Sequence, residues 1–171
     1  MTELITTFLS VGSPHNELQR KYIKSLQKYL KKKGISAETL GETFWSVEAP
    51  LRPIHRKMRE VYGCVVLALE RYCSSETVYK KGSDSEKIVE QQCFTTVWAQ
   101  IEAAMAYQLD LPLLICKEEK LAAEGMFDPA IHEWIIVRIH PDNPDELKEN
   151  PIKGFIDSWI NLVKNRYNSQ K

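Results

Sequence analysis

The run Cys64-Val65-Val66-Leu67-Ala68-Leu69 does most to limit what this chain can fold into. It is continuously apolar, bounded by Gly63 on one side and Glu70 on the other, and offers water no polar face. A strand of that kind belongs in the middle of a parallel sheet, covered on both sides. Leu111 to Cys116 repeats the pattern, Leu4 to Val11 and Trp134 to Ile139 supply two more strands, and Ile35 to Leu40 a weaker one.

Helical patterns fall between these strands. Ser13 as cap with Pro14 at the first helical position opens a helix carrying Leu18, Tyr22, Ile23, Leu26, Tyr29 and Leu30, closed at Gly34. Gly41 to Pro53 reads as a loop containing Phe44, Trp45 and Arg52, followed by a short helix through Ile54, Met58 and Val61. The polar stretch from Glu70 to about Ser85 is longer than an ordinary connection, and Ser83-Asp84-Ser85-Glu86 offers a capping box for some helix ahead of Trp98. Thr95 to Leu109 is helical, and Ile152 to Val163 forms a final amphipathic helix. Strands separated by helices pair in parallel with right-handed crossovers. The expectation is one α/β, flavodoxin-like domain over residues 1–164. Its five-stranded parallel sheet has order 2-1-3-4-5 and is flanked by helices, with Asn165 to Lys171 as a frayed tail.

Length and charge agree. A chain of 171 residues closes a sizeable core as one domain. With 23 basic and 23 acidic residues it lacks the footprint of a nucleic-acid binder, and Lys31-Lys32-Lys33 suits the negative end of a helix. No run approaches the roughly 20 apolar residues that cross a bilayer, so no membrane partner is expected. Met1-Thr2-Glu3 puts no basic region ahead of the first apolar run, so no signal peptide is expected. Cys64, Cys73, Cys93 and Cys116 show no C-x-x-C spacing; reduced thiols, no metal site and a cytoplasmic location follow as expectations.

One residue breaks the hydrophobic logic. At about 100° per residue, Trp98, Ile101, Met105 and Leu109 share a helical stripe, and Glu102 lies inside it. Burying an unpaired carboxylate costs several kcal/mol or forces its pKa upward, so the position calls either for a cation or for a use. In doubly wound sheets ligands sit beyond the carboxyl ends of the strands, near the switch point. That rule selects Ser10 to Ser13, Glu70 to Tyr72 and Glu118, with Glu102 close by. Ser10, Gly12 and Ser13 are candidates for phosphate or ribose, and Trp45 and Arg52 for closing over a ligand. Tyr72 is a candidate for the opposite wall, and Trp98 for packing beside the site.

The chain has no G-x-x-x-x-G-K-[ST], no G-x-G-x-x-G after its first strand and no G-x-S-x-G. A lone carboxylate in an aromatic-lined crevice suits cleavage of an N-glycosidic bond, where it stabilises or attacks an electron-poor sugar carbon. Nicotinamide leaves from a cationic precursor and needs no general acid.

At these residues the chain resembles two related superfamilies. Thr96-Val97-Trp98-Ala99-Gln100-Ile101-Glu102 is similar to the S-x-W-C-x-x-E motif of TIR domains, with threonine for serine and alanine for cysteine. Glu102-Ala103-Ala104-Met105-Ala106, followed by Leu111-Pro112-Leu113-Leu114-Ile115, resembles nucleoside 2-deoxyribosyltransferases. The TIR resemblance implies that Glu102 is the catalytic carboxylate of an enzyme cleaving NAD or a related nucleotide. That nucleotide would be a substrate and no separate cofactor would be needed. It also implies nucleotide signalling in antiviral defence, and a homo-oligomer or an activating partner. Helix-flanked sheets often dimerise through exposed helices, and the final Trp159 helix is a candidate surface. The second resemblance implies deoxyribose transfer between bases. A nucleotide sensor without catalysis and a self-assembling adaptor are the remaining expectations.

Overall fold

The computed structural model describes residues 4–130 and 135–171. Its central sheet holds β1 (Ile5–Val11), β2 (Ile35–Glu38), β3 (Cys64–Ala68), β6 (Leu113–Glu118) and β7 (Ile136–Ile139). All neighbours are parallel, in the order β2-β1-β3-β6-β7. Counted by position among these five, that is the expected 2-1-3-4-5 flavodoxin-like arrangement. The two intervening strands, β4 (Tyr72–Tyr79) and β5 (Lys87–Phe94), form a separate antiparallel ribbon.

Helices α1 (Glu17–Lys32) and α4 (Ile152–Ser169) cover one face of the sheet; α2 (Leu51–Glu60) and α3 (Val97–Gln108) cover the other. β3 alternates between the two cores, Val65 and Leu67 toward α1 and α4, Cys64, Val66 and Ala68 toward α2 and α3. This is why its sequence shows no polar face. Each leucine or isoleucine so buried contributes about 1.5–3 kcal/mol. Gly63 lets the turn before β3 lie against α4, since a Cβ there would stand 2.6 Å from Val163 Cγ2. Trp159 of α4 donates its indole N–H to the Pro112 carbonyl at 2.8 Å. Trp159 is therefore core, while Leu162 on the same helix is exposed.

Several boundaries differ from expectation. α1 starts at Glu17, because Asn16, not Ser13, accepts the Gln19 backbone N–H as cap at 2.9 Å. Arg52 lies in the first turn of α2 rather than in a loop. α4 continues to Ser169, past the expected fraying point, with Tyr167 edge-on to Tyr62 and Arg166 donating to the Asp110 carbonyl. Trp134 lies outside the described residues, and β7 begins at Ile136.

The largest correction is the ribbon. The capping-box residues 83–86 lie in the connection between β4 and β5, and no helix forms there. Cys73 and Cys93 stand directly opposite each other and form a disulfide, while Cys64 and Cys116 are free and buried. The expectation of four reduced thiols fails there, and with it the argument from thiols for a cytoplasmic location. Among the described residues no helix is long and apolar enough to cross a membrane.

Candidate active site

β1 carries Ser10 to the carboxyl edge of the sheet, where the chain turns at Gly12-Ser13. Ser10 pairs with Val66, Val66 with Ile115 and Ile115 with Ile136, so one transverse row runs beneath α3. α3 starts above this edge. Thr96 caps it, its hydroxyl accepting the Ala99 N–H at 3.3 Å. Its buried stripe is Ala99, Glu102, Ala103 and Ala106, rotated by about one residue from the Trp98-Ile101-Met105-Leu109 line. Alanines explain the rotation: they let the helix lie close over β3, while the bulkier side chains flank the contact. Glu102 remains on the sheet-facing side in either reading.

Around Glu102 lies a cleft of about 390 Å³, within the range of small-molecule sites. Ser10, Gly12 and Ser13 form one wall, Thr96, Trp98 and Glu102 another, and Pro50 and Ile54 close the α2 side. Arg71, just past β3, lines the cleft and donates to the Ser13 carbonyl at 2.8 Å. Gly12 lets the turn after β1 lie close to the start of α3, because a Cβ there would sit 3.3 Å from Thr96 Cγ2.

Glu102 is 8 % exposed. Burial pushes its pKa up to about 7, and the Ser10 hydroxyl, donating to the carboxylate, offsets only part of that. The Cys64 thiol lies near enough for the charge to raise its pKa, after the larger effect of its own burial. No cation forms an ion pair with Glu102 among the described residues, so the carboxylate is desolvated and available rather than neutralised.

Five of the candidate residues thus share one cleft: Ser10, Gly12, Ser13, Trp98 and Glu102. Three do not line it. Trp45 is 74 % exposed beyond Phe44, Arg52 lies on the outer face of α2, and Tyr72 is 66 % exposed at the start of the ribbon. Arg71 and Thr39 line it and were not singled out. Arg71 lies within the Glu70 to Tyr72 segment that the strand-end rule selects, and the strand-to-ribbon transition turns it, not its neighbour Tyr72, into the cleft.

Another cavity of about 400 Å³ opens on the α1 face beside Glu70, Glu118, Glu119 and His140. Its three glutamates are answered locally: Lys120 pairs with Glu70 and Glu118, and His140 with Glu119. Glu70, Cys73 and Cys93 bring a carboxylate oxygen and two sulfurs within 4.8 Å of one another. With the sulfurs joined to each other, only Glu70 is left to offer a metal, and Lys120 already holds it. No protein-family model and no curated protein matches the chain.

Proposed function

We propose that this chain is an N-glycosidase that cleaves the base–ribose bond of NAD or a related nucleotide, with Glu102 as the catalytic carboxylate. One observation carries the reading: a buried carboxylate, hydrogen-bonded by the Ser10 hydroxyl, opens into a ligand-sized cleft at the switch point of a doubly wound sheet. The resemblance of the Thr96 to Glu102 segment to the TIR motif supports it.

The chemistry needs little else. In the substrate the nicotinamide ring nitrogen is cationic. When the bond to the sugar carbon breaks, its electrons neutralise that nitrogen, and nicotinamide leaves without a proton. The ionised Glu102 stabilises the positive sugar carbon, or bonds to it, until water adds and releases one proton. Desolvation strengthens the carboxylate's field at that carbon. Ser10 holds the carboxylate in place, Trp98 flanks the entrance, and Arg71 supplies the cleft's cation.

Mass-resolved turnover tests this. Wild type and Glu102→Gln are incubated with NAD and, in parallel, with nucleotides and deoxynucleosides. Base release by wild type, lowered at least about 1,000-fold in the variant, is the expected result. Since the ionised form acts, kcat/KM should rise with pH and level off above about 7. Equal turnover by both proteins would remove Glu102 from the chemistry. Ligand binding with no base release from either would replace the enzyme by a nucleotide sensor.

A further inference from the structure

The Glu102 cleft does not end at β1. A cavity of about 300 Å³ adjoins it on the α1 face. Val11, Gly12, Ser13, Thr39 and Leu40 are walls of both. The turn after β1 and the segment after β2 therefore make a divider with a cavity on each side.

Across that divider the chemistry changes. The Glu102 side offers a carboxylate, hydroxyls, an indole and one cation, Arg71, which already donates to the Ser13 carbonyl. The far side offers Arg20 and Lys24, four residues apart and so on one face of α1, against the single carboxylate of Glu42. Arg20 bonds Glu17 at 2.9 Å in an exposed pair, which holds it weakly. Lys24 has no ion-pair partner among the described residues, so its charge is free to meet an anion. A cavity with two cations beside a cavity with a reactive carboxylate fits a ligand with two unlike halves.

We propose that the two cavities are parts of one site, and that the α1 part is an anion subsite for the phosphates of the substrate. The substrate class is then a nucleotide carrying a pyrophosphate, not a free nucleoside. Its scissile bond lies at Glu102 and its phosphates against Arg20 and Lys24. A dinucleotide reaches both parts; a deoxynucleoside fills only one. The position of the scissile bond rests on the N-glycosidase reading, whereas the anion subsite stands without it.

Calorimetric titration of Glu102→Gln protein tests this, with and without Arg20→Ala and Lys24→Ala. The ligands are NAD, nicotinamide riboside and inorganic pyrophosphate. Both substitutions are at exposed positions, and a thermal melt checks that the fold is kept. Pyrophosphate should bind and displace NAD. Loss of the two cations should weaken NAD and pyrophosphate at least about tenfold and leave nicotinamide riboside unchanged. Failure of pyrophosphate to bind, or undiminished NAD affinity in the doubly substituted protein, would overturn the subsite. Pyrophosphate binding that needs Arg20 and Lys24, together with no base release by wild type, would keep the subsite and discard the glycosidase.

Discussion

Two regions of this molecule each bury a glutamate, and they treat it in opposite ways. Glu146 is 7 % exposed and Glu102 is 8 %. Glu146, beneath α1, accepts the Tyr22 hydroxyl at 2.8 Å and the His140 backbone N–H at 2.7 Å, and its second oxygen lies 2.9 Å from His140 Nδ1. Glu102, beneath α3, has only the Ser10 hydroxyl among the described residues. The first arrangement ties together α1, the end of β7 and the turn at Pro144–Lys148, and is structural. The second leaves a carboxylate short of donors beside a cleft. Equal burial therefore says little about use; the number of groups that answer the charge separates the two sites.

The comparison can be broken at either end. The largest effect is expected from Glu146→Ala, which leaves the Tyr22 hydroxyl and the His140 backbone N–H without their acceptor and should cost about 1–3 kcal/mol for each in denaturant titrations at pH 7. A loss under about 1 kcal/mol would erase the distinction. Glu102→Gln should act the other way and gain up to about 3 kcal/mol above pH 7. The sign follows from the raised folded value: wild type loses stability as pH rises from 4.5 through about 7, and the variant does not. A stability difference that stays constant between pH 4.5 and 8 would show that Glu102 is better solvated than its surroundings imply. The smallest effect belongs to His140, about half exposed between Glu146 and Glu119, which hold its pKa above the usual histidine value. Its contribution should be below about 1 kcal/mol after solvent screening. It should be complete below pH 6.5 and lost as pH rises through the raised folded value. Imidazole resonances followed by NMR would locate that value, and a midpoint at or below 6.5 would contradict the flanking carboxylates.

The sheet was legible because its strands are buried on both faces. β3 and the stretch from Leu111 to Cys116 that leads into β6 announce themselves as apolar runs, and their helical connections leave few ways to order them. Glu102 was legible for the opposite reason, as a charge where the helical period demands burial. The depth of its neighbours does not follow from side-chain size. Trp98 is 43 % exposed, while the small Ala99, Ala103 and Ala106 lie against the sheet. The ribbon was hidden for a local reason: a Ser-x-x-Glu segment caps a helix or fills a turn equally well, and residues 72–94 have too little buried surface to decide. Cys73 and Cys93 are 20 residues apart and meet only through strand register, which no spacing rule reads. Arg20 and Lys24 escaped notice because basic residues on an exposed helix face are ordinary until a cavity is seen beside them.

The disulfide has a consequence for how the chain can vary. Cys73 and Cys93 lie 4.0 Å apart at Cα, nearly the 3.80 Å that separates consecutive residues. Seen from the sheet, the polypeptide leaves β3 and returns to α3 almost as if the intervening loop had been skipped. The covalent shortcut makes that excursion a detachable appendix. Its length and sequence can change while Arg71 and Thr96, at its two roots, keep their places in the cleft wall. A loop grafted or trimmed between the two cysteines would alter what the protein touches without altering where Glu102 sits.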